Sequence, residues 1–156
     1  MTNDDIRYVI RPIAEEDVKR VATLEQICFT CPMSEENVRN FLLSENGLAF
    51  VCYDNENKGE LCAYCGAICV LDEAQVLNVA TAPEHRRRGL GRELVFRLIS
   101  AAKERGAESV TLEVRESNLP ARTLYEALGF YGIGRIKKYY TKPTEDALIL
   151  KLDINK

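Results

Sequence analysis

Along the chain, apolar positions recur either every two residues or every three to four, and each change of period marks a change of element. Residues 6–13 alternate as a first strand, with Pro12 near its end. From Glu15 onward, Val18, Val21, Leu24 and Ile27 fall at helical spacing. Pro32 breaks the chain, and Ser34 is placed to cap a second helix carrying Val38, Phe41 and Leu42, which Gly47 ends. Residues 48–53 read as a strand and 54–59 as a polar turn. Two further strands follow over 61–71 and 74–80, joined by Asp72-Glu73.

Leu94, Val95, Leu98, Ala101 and Ala102 mark one face of a long helix opening at Leu90, and Lys103, Arg105 and Gly106 supply its stop. A strand over 109–115 puts Val110, Leu112 and Val114 on one face. Asn118 and Gly129 bracket a helix over 118–128, whose first turn tolerates Pro120. Strands over 130–140 and 147–152 complete the order β-α-α-β-β-β-α-β-α-β-β. This order predicts a mixed sheet flanked by helices, an α/β fold.

At 156 residues the chain has the size of one domain, 1–156 with its core over 6–152. With 46% hydrophobic and 29% charged residues it has a globular composition. A net charge of −3 gives no support for a nucleic-acid partner. Residues 1–5 are polar and no apolar run reaches the roughly 20 residues of a membrane span, so a cytoplasmic protein with no membrane partner is expected. No coiled-coil seam calls for an obligate partner, and a monomer is expected. Two basic groups stand out, Arg86 to Arg88 with Arg92, and Arg135 with Lys137 and Lys138. Each suits a small anion or a solvated face.

Six cysteines include two C-x-x-C pairs, Cys28 with Cys31 and Cys62 with Cys65. Their separation exceeds the about 15–20 residues usual for paired zinc ligands. Cys62 and Cys65 also fall three apart on a strand, which predicts opposite faces. The expectation is reduced core thiols and no metal.

The stretch Arg86-Arg87-Arg88-Gly89-Leu90-Gly91 lies between a strand and a helix. Its glycines let the backbone turn with its N–H groups exposed, and the helix start behind it adds free donors and a positive dipole end. Such a loop suits a phosphate or pyrophosphate. Alone it reads equally well as a tight entry into a helix. A dinucleotide fingerprint would need Gly or Ala where Leu94 stands, and no G-K-S or G-K-T run exists for a nucleotide-triphosphate loop.

The loop resembles the Q/R-x-x-G-x-G/A acetyl-CoA motif of the GCN5-related N-acetyltransferase superfamily, with Arg86, Gly89 and Gly91 in its fixed places. Four further runs resemble the RimI branch, the ribosomal-protein-alanine N-acetyltransferases. They are Leu77-Asn78-Val79-Ala80, Leu112-Glu113-Val114-Arg115-x-Ser117-Asn118, Leu124-Tyr125-Glu126-x-Leu128-Gly129-Phe130 and Tyr139-Tyr140. The resemblance covers nearly the whole chain. It implies a mostly antiparallel sheet of seven strands, splayed between the fourth and fifth, with four flanking helices.

The resemblance also implies roles. Val79, Ala80 and Thr81 would pair their backbone with the pantetheine arm of acetyl-CoA. Arg87, Arg88, Gly89, Leu90, Gly91 and Arg92 would hold its pyrophosphate, and Asn118 would hydrogen-bond the arm. Glu113 would be the general base and Tyr125 the general acid. Tyr139 and Tyr140, with Met33, would hold the acceptor, a protein N-terminus and most fittingly that of a ribosomal protein. Two positions depart from the branch: Met33 stands where it usually has tryptophan, and Lys138 where it often has asparagine.

The chemistry suits these residue types. An α-amino group with a pKa of about 8 is largely protonated at neutral pH and needs a base before it attacks a thioester. Glu113 interrupts a strand in which Glu is disfavoured, on the face away from Val110, Leu112 and Val114. Without the resemblance, Glu113 would equally be an exposed strand residue, Tyr125 a half-buried aromatic and Tyr139-Tyr140 sheet packing. His85 reads as an exposed loop residue rather than a base. Direct transfer needs no enzyme nucleophile, so the cysteines are assigned no catalytic role. Two other functions remain: acetylation of a small amine or antibiotic, and non-catalytic coenzyme A binding.

Overall fold

Each predicted element forms, in the predicted order. In the computed structural model, which describes residues 7–57 and 59–154, the strands are β1 (Tyr8–Pro12), β2 (Gly47–Asp54), β3 (Glu60–Val70), β4 (Glu73–Thr81), β5 (Ser109–Arg115), β6 (Tyr131–Tyr140) and β7 (Glu145–Asp153). The helices are α1 (Val18–Cys28), entered through a 3-10 turn at Glu15–Asp17, α2 (Glu35–Leu42), α3 (Leu90–Glu104) and α4 (Leu119–Ala127). The predicted strand start at Ile6 lies outside the described residues.

The strands make one seven-stranded sheet in the order β1-β2-β3-β4-β5-β7-β6. All neighbours are antiparallel except β4 and β5, which run parallel and pair only at Glu73↔Ser109, Ala74↔Val110 and Gln75↔Thr111. Beyond these three pairs the strands part, giving the expected splay. Its cause is local. The β3–β4 register shifts between Gly66↔Asn78 and Ala67↔Val76, leaving Leu77 as an extra residue on β4. Such a bulge bends the bulged strand away from its course.

α3 packs on β2, β3 and β4 across one face, while α1 covers β3 and β4 on the other with α2 beside it. Two cores result. One gathers Leu94, Leu98, Val110, Leu112, Val114, Tyr125 and Phe130; the other gathers Val18, Val21, Leu24, Val38, Leu42, Val51 and Tyr64. Gly47 starts β2 hard against α2, where a Cβ would collide with the carbonyl oxygens of Phe41 and Leu42.

Several expectations are corrected. The β3–β4 turn sits at Leu71 and Asp72, one residue earlier than predicted, with Leu71 at φ 56° and exposed. Ile27 and Phe41 point outward. On α1 the buried face runs through Val18, Val21, Ala22, Leu24 and Glu25, and a residue two beyond Glu25 has rotated off it. Cys62 and Cys65 do not face opposite sides, since both join the core beneath α3. The pairs Cys52↔Ala63 and Tyr53↔Leu61 leave Cys62 as the extra residue of a bulge, which resets the alternation. Cys62 Sγ lies 3.8 Å from Cys52 Sγ, and Cys65 donates to the Leu94 carbonyl at 3.4 Å. All six thiols are free, and burial, its first cause, pushes the Cys65 thiol up to about 12.

Candidate active site

The parting of β4 from β5 opens a cleft of about 640 Å³. Val79, Ala80 and Thr81 line it on the β4 side, where no β5 partner takes up their outward backbone groups. Arg87, Gly89, Leu90, Gly91 and Arg92 close one end. Asn118, Leu124 and Tyr125 line it from α4. Most of the residues assigned to the donor by resemblance therefore meet in one place.

The loop before α3 turns on two left-handed residues, Arg87 at φ 66° and Gly89 at φ 78°. Gly89 caps α3, accepting from Glu93 N–H at 3.1 Å. Alternating left-handed residues turn successive N–H groups inward, and the first turn of the helix leaves its amides without helical partners. The two glycines do different work. Gly89 supplies the conformation, with nothing within 4 Å of a notional Cβ. Gly91 admits α4, since its Cβ would stand 3.3 Å from Leu124 Cδ1. Gly89→Ala should therefore cost only the left-handed penalty of about 1 kcal/mol, a fall of roughly 2–4 °C in melting temperature by differential scanning fluorimetry.

Arg88 turns aside to a neighbouring hollow lined by Arg7, Asp54 and Glu84. Arg86 donates through Nε to the Thr81 carbonyl at 3.0 Å and ties the loop to the end of β4. His85 corrects its expectation: it is buried, with Nδ1 3.0 Å from the Tyr8 hydroxyl and Nε2 3.8 Å from Asp54 Oδ2. Asp54 in turn accepts twice from Arg7, whose guanidinium is the first cause holding that carboxyl below its usual range. The turn feeding the loop is thus pinned to β1 and β2.

Glu113 projects from β5 on the face away from the core strip, half-buried beside Tyr139 and Tyr140. The Tyr139 phenol is raised first by hydrogen bonding to the Glu113 carboxylate and then by burial. Tyr140 is pushed up to about 12, by burial first and by the charge of Glu113 second. The two rings pack edge to face, centroids 5.0 Å apart, although they are neighbours on one strand. The chain irregularity at Lys138 makes this possible. Lys138 adopts φ 52° and donates its N–H to Asp146 at 2.9 Å. Asparagine tolerates that conformation better than lysine, which gives the departure at this position a backbone meaning. Arg115, two residues beyond Glu113, lies 4.4 Å over the Tyr140 ring and donates to the Thr141 and Pro143 carbonyls.

Tyr125 is buried against Phe130, with ring centroids 5.6 Å apart, yet lines the cleft. Burial is the first cause raising its pKa, so the phenol is neutral at physiological pH. Met33 is not on the cleft wall; it packs against the α1–α2 core. The basic group at Arg135 is an ion-pair cluster, with bonds to Glu116 at 2.7 Å and Asp146 at 2.8 Å. Sequence reasoning missed Cys28, Phe29, Ala121 and Leu124 on the cleft wall. The α1 stripe was the available signal, since seven residues from Val21 it reaches Cys28.

The cleft thus brings together β4 backbone that β5 does not pair, the start of α3, and Arg87 and Arg92. Among the described residues no group of three or more His, Cys, Asp or Glu is placed to hold a metal, and no helix is long and apolar enough to cross a membrane.

The fold is shared with proteins of known structure. The [ribosomal protein bS18]-alanine N-acetyltransferase of Escherichia coli is 34% identical over 148 residues, covering 94% of this chain and 97% of that protein. The enzyme of the same name from Haemophilus ducreyi is 31% identical over 147 residues, 92% of this chain and 99% of its own. The crystal structure of the E. coli ribosomal-protein-S18-alanine N-acetyltransferase superposes with a TM-score of 0.86 at 35% identity, covering 96% and 95% of the two chains. The family described as Acetyltransferase (GNAT) matches residues 18–130, and the chain belongs to that family.

Proposed function

We propose that this chain transfers the acetyl group of acetyl-CoA to the N-terminal α-amino group of a protein, with the N-terminal alanine of ribosomal protein bS18 as acceptor. The observation that carries the reading is the β4–β5 split, with the amide-rich loop at one end and Glu113 with its tyrosines beside it. The E. coli relative named for that reaction, alike over nearly the whole chain, supports the choice of acceptor.

In this reading Val79, Ala80 and Thr81 carry the pantetheine arm, Arg87 with Gly89, Leu90, Gly91 and Arg92 holds the pyrophosphate, and Asn118 steadies the arm. Glu113 takes a proton from the acceptor's ammonium group. The freed amine attacks the thioester carbonyl, a C–N bond forms, the C–S bond breaks, and the second proton the nitrogen loses passes through water to make good the one Tyr125 offers the sulfur. Tyr125 donates its phenolic proton toward the departing sulfur. Tyr139, Tyr140 and Met33 hold the acceptor backbone. All these groups lie on one chain, so a monomer suffices, working in the cytoplasm where ribosomal proteins are made.

Incubation of the protein with acetyl-CoA and a peptide carrying the bS18 N-terminus, followed by mass spectrometry, should show saturable transfer confined to the α-amine. Transfer to small amines with none to the peptide would overturn the acceptor assignment. Binding of acetyl-CoA with no transfer to either would leave a coenzyme A-binding module.

A further inference from the structure

α1 carries a charge on its core face. Glu25 is fully buried, among Val21, Leu24 and the residues of β3 and β4. A carboxylate there is expensive unless several donors compensate it, and an apolar side chain of similar size would often be at least as stable. Three donors converge on it. Oε2 accepts from the Tyr64 hydroxyl of β3 and from Asn78 Nδ2 of β4, the latter at 2.8 Å. Oε1 accepts the Met33 backbone N–H at 2.9 Å.

These partners depend on Glu25 unequally. Tyr64 and Asn78 sit in strands fixed by pairing, Tyr64↔Ala80 and Gly66↔Asn78. Residues 30–33 lie in neither helix nor strand, between Phe29, which ends α1, and Ser34, whose carbonyl accepts the Val38 N–H of α2 at 2.9 Å. That segment is held by the Phe29 N–H on the Glu25 carbonyl at 2.9 Å and the Met33 N–H on the Glu25 side chain. Glu25 thus holds the start of the segment through its carbonyl and Met33 through its side chain. It also ties it to Asn78, next to Val79, at the β4 bulge that opens the cleft.

We propose that Glu25 is a positioning residue for the acceptor: its buried carboxylate, bonded to Met33 and Asn78, fixes the segment between α1 and α2, whose first residue Phe29 lines the cleft, against the cofactor strand. The proposal rests on the acetyl-transfer reading above. Glu25 acts through Met33 and Asn78 and touches neither reacting atom.

The test compares Glu25→Gln, Glu25→Asp and Tyr64→Phe with the wild type. Glu25→Gln places an amide among three donors, and Glu25→Asp keeps the charge but shortens its reach by one methylene. Both should raise KM for an alanine-first peptide about tenfold, with KM for acetyl-CoA within about twofold. Tyr64→Phe removes a donor anchored in the sheet and should lower the melting temperature while leaving peptide KM within about twofold. Hydrogen exchange at the Met33 amide, measured without substrates, should quicken about tenfold in both Glu25 variants. Unchanged peptide KM and unchanged exchange in folded variants would overturn the proposal. So would equal KM shifts in all three variants, which would mark Glu25 as packing alone. Wild-type protein inactive on the peptide would refute the acceptor reading, while the exchange result would still judge the hold on the segment.

Discussion

Glu113→Gln is expected to lower kcat for an alanine-first peptide by about 10²–10⁴-fold, with acetyl-CoA affinity unchanged within about twofold. The substitution keeps the side chain's volume and leaves an oxygen able to accept from Tyr139, while the capacity to take a proton is lost. Glu113 stands on β5 facing away from the core that Val110, Leu112 and Val114 build, so the fold should survive the change. It is also absent from the wall of the donor cleft, where Val79 to Thr81, the amide-rich loop and Asn118 lie. Binding of acetyl-CoA by calorimetry should therefore be preserved.

The size of the loss separates two roles. An amine of pKa about 8 is already about one-tenth neutral at pH 7. If Glu113 merely favoured the neutral amine before attack, its removal would cost at most about tenfold, and raising the pH past 8 would restore the rate. A larger loss that persists at high pH requires proton transfer within the rate-limiting step. A kcat within about threefold of wild type would remove Glu113 from the mechanism. The Tyr139 phenol supplies a structural control. The Glu113 carboxylate is the first cause of its raised pKa, so Tyr139 should titrate at lower pH in the variant.

Local patterns made most of the fold legible. The alternation of Val110, Leu112 and Val114 placed Glu113 on the correct face, and Ser34 caps α2 as predicted, accepting from Asn37 N–H at 3.1 Å. Gly89 takes the left-handed conformation its place in the loop demanded. What stayed hidden depends on register between strands. The extra residues Cys62 and Leu77 become visible only once β3 is laid against its neighbours, yet the first reverses a face assignment and the second opens the cleft. Polar residues inside the core were obscured for a different reason. Counting apolar positions favoured Ile27 on α1, whereas helical rotation places Glu25 and Cys28 on the inward stripe. His85 looked solvent-exposed because its partners, Tyr8 and Asp54, come from strands remote in sequence.

Tyr125→Phe should lower kcat by about a hundredfold and leave the melting temperature nearly unchanged. The stability half follows from the surroundings of the hydroxyl. Tyr125 is buried as a ring against Phe130, but its hydroxyl has no hydrogen-bond partner among the described residues. Removing it strands no protein donor or acceptor. The kinetic half follows from relative acidity. Burial raises the phenol above its ordinary value of about 10, while a free thiol sits near 8.5. Complete proton transfer from phenol to the leaving thiolate is therefore uphill, and Tyr125 contributes mainly as a hydrogen-bond donor to charge building on sulfur. A bond to a charged acceptor is worth about 1.5–3 kcal/mol, or roughly 10- to 150-fold in rate. A loss well beyond that range would imply that protonation is complete in the transition state. An unchanged kcat would mean that water protonates the leaving thiolate and that Tyr125 is a wall of the cleft. Solvent isotope effects on kcat separate these outcomes, since a proton in flight at sulfur would make the wild type slower in heavy water than the phenylalanine variant is, each relative to its own rate in light water.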